Sequence, residues 1–254
     1  MSAFGEALGG DRTLLGLWQA LATPYTAEIC ARAGYDWLLF DGEHAPNTVQ
    51  TLLAQLQAVA AFPVEAVARV PVGEPVVIKQ YLDIGFRTLL VPMVDTGEQA
   101  ATLVAATRFP PLGVRGVASA TSRASGFGAN AAYLATAHED ICLIAQIESS
   151  AGLAAIDAIA TTEGIDALFI GPADLAASLG QLGNPRHPEV QAAITAAFSR
   201  IAASGKPAGI FALSDSDARE RIAQGFKFVS LGTDIGVLAQ GAARLRKAVG
   251  GDLT

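Results

Sequence analysis

Four times the chain repeats one half-unit: the end of a helix-forming stretch, a glycine, then a short apolar run. The repeats read A-G-Y-D-W-L-L-F around Gly34, I-G-F-R-T-L-L-V around Gly85, E-G-I-D-A-L-F-I around Gly164 and Q-G-F-K-F-V-S-L around Gly225. Glycine after a helix supplies the left-handed cap that residues with a Cβ resist. The near-continuous apolar runs suit strands covered on both faces, as in a parallel sheet. Further runs lie between them at Leu14–Trp18, Val64–Arg69, Ile141–Ile147 and Ala208–Phe211. Interleaving gives eight strands, with the glycine units as the even-numbered ones. Helical stretches separate them, among them Pro24–Ala33, Thr48–Ala60, Val76–Leu82, Gly97–Arg108 and His187–Ser204. Eight strand–helix units in 254 residues is the arithmetic of an α/β (β/α)8 TIM barrel. A doubly wound open sheet is the alternative, and the strand count argues against it. No linker or low-complexity tract divides residues 1–254, so one barrel domain is expected. The rhythm breaks once, in a long loop over Arg108–Asn130 between the fourth and fifth strands. Loops of that length are usually functional or mobile.

Composition narrows the function classes. Hydrophobic residues make up 51% of the chain, ample for a core, while charged residues are only 16%. Much of the surface is therefore apolar or Ala/Gly-rich, which favours burial between copies in a homo-oligomer. The net charge is −7 and no basic stripe exists, so nucleic acid is not an expected partner. The small cluster Arg244–Arg246–Lys247 reads as a solvated helix end, favourable to the helix dipole. No apolar run approaches the ~18 residues of a membrane helix, and the N-terminus lacks a basic stretch followed by an apolar one. Cys30 and Cys142 have neither zinc-site nor disulfide-framework spacing. A soluble protein in a reducing, cytoplasmic setting is the expectation.

In a barrel of this type the active site lies at the C-terminal ends of the strands. Asp41 ends the second strand, with Glu43 and His44 in the loop that follows. Arg69 ends the third, and Gln146 and Glu148 end the fifth. Asp174 follows the sixth through Gly171, Pro172 and Ala173. Trp18 at the end of the first run and Leu213 after the seventh are further candidate substrate contacts. His138, Lys206 and Lys227 precede strands, so they belong to the opposite face as surface or stability residues.

The lysines decide between chemistries. Only Lys79, Lys206, Lys227 and Lys247 exist, and none ends a strand at the catalytic face. Schiff-base catalysis needs a lysine in the pocket, so electrophilic activation must come from elsewhere. Glu148 and Asp174, from neighbouring strands, make an open oxygen site for a hard divalent cation. Asp174 has an alternative use as the cap of the helix that follows. Of three histidines only His44 is well placed, so a multi-histidine zinc site is not expected. Arg69 beside a cation would stabilise negative charge on an oxygen; its bland reading is a structural partner for Asp41 or Glu43. His44 is a candidate base near neutral pH, oriented by Asp41. Gly171–Asp174 begins a helix whose backbone N–H groups suit a carboxylate. No phosphate-binding loop exists, Gly126-Phe127-Gly128 has no strand leading into it, and Ser149 and Ser150 lack a nucleophile-elbow context.

These residues sit in recognisable motifs. The stretch A-T-P-Y-T-A-E-I-C-A-R-A-G-Y-D-W-L-L-F-D-G-E-H-A-P-N (Ala22–Asn47) resembles the HpcH/HpaI aldolase family, the class II metal-dependent pyruvate aldolases. So do V-A-R-V-P (Val67–Pro71), R-F-P-P-L-G-V-R-G (Arg108–Gly116), Q-I-E-S (Gln146–Ser149) and F-I-G-P-A-D-L (Phe169–Leu175), all in family order. The resemblance implies reversible cleavage of 4-hydroxy-2-oxo acids to an aldehyde and pyruvate, or a related 2-oxo acid such as hydroxypyruvate. It implies a divalent ion, magnesium, manganese or cobalt, held by Glu148 and Asp174 and chelated by the 2-oxo acid. Arg69 would stabilise the enolate, and His44 with Asp41 would move the proton, directly or through water. Gln146 would position bound water or substrate. The family's barrels also exchange their last helix between partners and assemble as hexamers. Two departures stand out: Thr48 where the family often has Asp, and V-A-S-A-T-S-R after Arg115-Gly116 where a second Gly-rich step is more usual. The second bears on aldehyde specificity, because that loop is a candidate wall of the pocket. Two other readings compete: a carbon–carbon lyase acting on acyl-CoA thioesters, which the acidic, Lys-poor chain supports weakly, and a non-catalytic 2-oxo acid-binding protein.

Overall fold

The computed structural model describes residues 2–250. Eight parallel strands close into one barrel in sequence order, β1 pairing with β8. They are β1 (Leu14–Gln19), β2 (Trp37–Asp41), β3 (Glu65–Arg69), β4 (Thr88–Val91), β5 (Cys142–Ile147), β6 (Ala167–Ile170), β7 (Ala208–Phe211) and β8 (Phe228–Thr233). The glycine units do lead into β2, β4, β6 and β8, and Gly34, Gly85, Gly164 and Gly225 all have φ between 84° and 109°. Each glycine lets the chain leave a helix and turn back into the sheet without a Cβ penalty.

The helices are α1 (Ala3–Leu8), α2 (Pro24–Ala31), α3 (Val49–Val59), α4 (Pro75–Asp83), α5 (Gly97–Thr107), α6 (Tyr133–Thr136), α7 (Ser150–Ala160), α8 (Pro172–Ser178), α9 (Pro188–Ala203), α10 (Asp215–Gln224) and α11 (Asp234–Gly250). Their starts are chemically marked. Thr48 and Thr96 each form a reciprocal capping box, Ser149 and Ser214 cap α7 and α10, and Pro opens α2, α4, α8 and α9.

Strand side chains alternate between two cores. One set, including Leu38, Phe40, Ala68, Leu143 and Ile170, packs outward against the helices. The other, including Trp18, Trp37, Leu39, Val67, Ile144, Phe169 and Phe228, fills the barrel. Glycines make room for the largest of these: a Cβ at Gly16 would lie 2.1 Å from the Trp37 ring, and one at Gly209 2.3 Å from the Phe228 ring. α1 plugs the N-terminal mouth, with Phe4 edge-on to Phe228 at 6.4 Å. The interior parity carries upward: two residues beyond Leu39, Val67 and Ile144 stand Asp41, Arg69 and Gln146. An inward-facing polar layer at the C-terminal mouth follows from the period of two.

Two parts depart from a regular barrel. The long loop after α5 lies at the N-terminal face, held beneath α4 by Arg115 on Asp83, by Arg123 on the Ile84 carbonyl and by Ser122 and Ala124 on the Asp83 carbonyl. Within the chain it therefore walls nothing at the mouth where Arg69 and Glu148 stand, and its candidacy for this chain's own aldehyde pocket is corrected. The cause is topological: α5 returns the chain to the end of the barrel where β5 must begin. α11 leaves the barrel. Only Asp234 of it is buried, anchored by the N–H groups of Ala20 and Leu21, while Ile235, Val237, Leu238, Leu245 and Val249 face outward and are exposed. No helix among the described residues is long and apolar enough to cross a membrane. Cys30 and Cys142 are not joined to each other.

Candidate active site

Asp41 and Arg69 are register partners on β2 and β3. Side by side at the strand ends, they form a two-pronged pair: Arg69 Nε donates to Asp41 Oδ1 at 2.9 Å and Nη2 to Oδ2 at 2.7 Å. The third nitrogen, Nη1, stands 3.0 Å from Glu43 Oε2, and the guanidinium lies over Trp18, 5.2 Å from its ring. Trp18 is itself wedged against Phe169 and Phe211 at 5.7 and 5.3 Å. The arginine is thus held at its sides by two carboxylates and below by an aromatic floor, and it is 6% exposed. A buried pair of this kind costs several kcal/mol to break from one side, on the order of 3–5.

Asp41 is fully committed. Its Oδ1 also accepts the backbone N–H groups of Glu43 and His44. Burial alone would raise the Asp41 carboxyl, but Arg69 and these N–H groups together hold it below the usual carboxylate range. His44 meets Asp41 through its backbone; the imidazole is exposed, with Nε2 3.8 Å from Glu43 Oε2. The sequence placed Glu43 only as a partner for Arg69. The structure also puts it beside the His44 ring. Its position two residues after Asp41, a short step past the strand end, was the available signal.

Glu148, one residue beyond β5, is buried. Its Oε1 accepts the Met93 N–H at 2.9 Å, and its Oε2 takes a short hydrogen bond from Gln146 Nε2. Met93 has φ 54°, a strained conformation for a residue with a Cβ. Backbone donors of this sort leave no mark in a sequence pattern. Burial pushes the Glu148 carboxyl up to about 7, with the charges of Asp174 and Glu43 adding and the Met93 N–H and Arg69 opposing. Burial likewise raises Glu43, against Arg69 and His44 and with Asp41 and Asp174.

Gly171 caps α8 without a side chain, and Pro172, Ala173 and Asp174 form its first turn. Asp174 is therefore not the cap. It is exposed, and its charge acts on both Glu43 and Glu148. A Cβ at Gly171 would stand 2.6 Å from Glu148 Oε2 and 2.9 Å from Gln146 Nε2, so only glycine leaves that carboxylate its place. Leu213 stands apart from this set. Half-buried, it gives its N–H to Asp217 and its carbonyl to Arg186, and it lines a small separate cavity with those residues. A cleft of about 590 Å³ adjoins the set, lined by Glu43, Val72, Met93, Thr96, Gln99 and Leu103 among others.

The set suits a hard cation. Beyond burial, the charge of Asp174 raises both the Glu43 and the Glu148 carboxyls, Glu43 further raises Glu148, and one buried oxygen, Gln146 Oε1, accepts no hydrogen bond. Excess acceptors and excess negative charge are what an oxygen-liking ion relieves. No cluster of three or more His, Cys, Asp or Glu side chains poised to hold a metal exists among the described residues. Three of the four lysines lie elsewhere: Lys206 and Lys227 bind the carbonyls of Ile165 and Gly10 at the other face, and Lys79 packs at Gly116.

The family described as HpcH/HpaI aldolase/citrate lyase matches residues 14–241. A hydroxypyruvate/pyruvate aldolase of Deinococcus radiodurans is 57% identical over 244 residues, 96% of this chain and 88% of that protein. A 4-hydroxy-2-oxo-heptane-1,7-dioate aldolase of Salmonella dublin is 48% identical over 251 residues, 99% of this chain and 95% of that one. Among solved structures, an HpcH/HpaI aldolase/citrate lyase family protein from Burkholderia cenocepacia superposes with a TM-score of 0.95 at 41% identity, covering 98% of this chain and 99% of its own.

Proposed function

Because the chain belongs to the HpcH/HpaI aldolase/citrate lyase family, we infer that its strand-end pocket cleaves and forms the C3–C4 bond of 4-hydroxy-2-oxo acids. It is a carbon–carbon lyase, a pyruvate aldolase, and the thioester-lyase and non-catalytic readings are not favoured. The observation that carries the assignment to this pocket is Arg69. It is the cation held inward at the mouth, oriented by Asp41 and Glu43 and facing a cluster of carboxylates.

A preorganised buried guanidinium stabilises negative charge as it develops on the 2-oxo oxygen. Asp41 keeps the fork aimed, so its role is to position Arg69 as well as to fix the loop that carries His44. The exposed imidazole at the mouth accepts the C4 hydroxyl proton in cleavage and returns one to C3. Its approach to Asp41, by the family resemblance, runs through water. Gln146 orients Glu148, and Trp18 floors the pocket. Glu148 and Asp174 would hold a divalent ion, magnesium, manganese or cobalt; when bound it supplies Lewis-acid polarisation of the 2-oxo acid. The Gly171–Ala173 turn would receive the substrate carboxylate. The Leu213 side chain belongs to this reading only as an outer contact.

The outward apolar face of α11 supports exchange of this helix between copies, within a hexamer, and the setting is cytoplasmic. Purified protein given pyruvate or hydroxypyruvate and a simple aldehyde is expected to form the 4-hydroxy-2-oxo acid. An aldehyde panel that yields no addition product and no reverse cleavage would reject the assignment.

A further inference from the structure

At the end of the barrel opposite Arg69, the long loop after α5 closes a cavity of about 300 Å³. Its polar lining is Arg87, Arg115, Arg123, Asn130, Tyr133 and Asp140. The chain as a whole carries −7, so three guanidiniums against Asp140 and the nearby Asp83 reverse the local sign.

Each arginine is placed by a different device. Arg115 is 2% exposed. Its Nη2 donates to Asp83 Oδ1 at 2.7 Å and to the Tyr133 hydroxyl at 2.9 Å, and its guanidinium stacks over Phe109 at 4.5 Å. Its Nε is buried and has no partner. Arg123 donates Nη1 to the Ile84 carbonyl at 3.0 Å. It fits there because position 85 is glycine: a Cβ would lie 2.5 Å from that nitrogen. Arg87 stands exposed at the rim, with Nη1 3.9 Å from Asp140 Oδ2, beyond hydrogen-bond range.

We propose that this cavity is a second ligand site, taking a small oxyanion, phosphate or dicarboxylate, remote from the aldol pocket. Guanidinium forks suit such oxygens because they donate two parallel hydrogen bonds. The fixed seats of Arg115 and Arg123 supply the anchor, and the loosely held Arg87 supplies the adaptable rim. None of these observations depends on the reaction at the other face.

The test is calorimetric titration of the full chain in chloride buffer at fixed ionic strength, with inorganic phosphate in one arm and succinate in the other. Saturable binding is expected in at least one arm, and the arm that responds identifies the anion class. Arg87→Ala and Arg123→Ala should each weaken it about tenfold or more, the worth of a charge-assisted hydrogen bond. Arg87 is a rim residue whose removal leaves the fold intact, so the test does not hinge on the buried Arg115. Arg69→Ala should bind as the wild type does. No saturable binding in either arm, binding indifferent to both arginine variants, or binding lost in Arg69→Ala would each overturn the proposal.

Discussion

Arg69 and Arg115 are both nearly sealed from water, both sit on an aromatic face and both grip an aspartate, yet they stand at opposite ends of one barrel. What differs is the remainder. Around Arg69 the charge left over is negative, and the buried atom without a partner, Gln146 Oε1, is an acceptor. Around Arg115 the charge left over is positive and the unpartnered atom is a donor, Nε. A buried arginine alone therefore says little about function. The unsatisfied atoms beside it say which sign of ligand would complete the site.

The largest effect that sharpens this contrast is Arg69→Ala. It removes the oxyanion-stabilising donor and leaves Asp41 buried without its cation. Aldol turnover should fall on the order of 10³-fold, and the loss of the buried pair should cost about 3–5 kcal/mol in denaturant unfolding. Arg69→Lys, which keeps charge but not the fork, should restore only part of either. Wild-type turnover in Arg69→Ala would remove Arg69 from the mechanism.

Next comes the pH dependence of stability without added metal. The Glu148 carboxyl titrates near 7 when folded, against an ordinary value of 4.5. Between those values the folded state binds the extra proton, so this group's stabilising contribution is full below about 4.5 and is lost as pH rises through 7. The sum is about 3 kcal/mol. Urea midpoints across this window should fall with pH in the wild type and fall less steeply in Glu148→Gln. Equal slopes would contradict the burial argument.

Gln146→Leu should weaken divalent-ion affinity or turnover about 10–100-fold by freeing Glu148 to reorient, with Gly171→Ala acting the same way by crowding Oε2. Metal titration of each variant distinguishes these from loss of fold. The smallest effect is expected at the other face: Lys227→Ala, which loses only its bond to the Gly10 carbonyl, should change turnover less than about twofold and stability by about 1 kcal/mol.

Much of the barrel was legible because its signals are local. A glycine forced to positive φ before each even-numbered strand, and apolar runs on every odd one, mark all eight strands, and helix ends fall within a residue or two of the Thr, Ser and Pro that begin them. The inward layer of Asp41, Arg69 and Gln146 was legible for the same reason, since strand parity is a two-residue rule. Contacts that depend on how loops land were not. The Met93 N–H reaches Glu148 through a strained backbone turn, and the His44 ring turns toward Glu43. The long loop was visible as an interruption, but its end of the barrel follows from the direction of α5 and not from its own residues.

The carboxylate-rich end is expected to work with a cation. The most direct measurement is the rate of pyruvate release from a 4-hydroxy-2-oxo acid, before chelation, after rigorous removal of divalent ions, and after adding back magnesium, manganese or cobalt. Turnover should collapse on removal and return on addition in the wild type, and should not return in Glu148→Ala or Asp174→Ala. Full turnover by the metal-stripped protein would show that these carboxylates act without an ion.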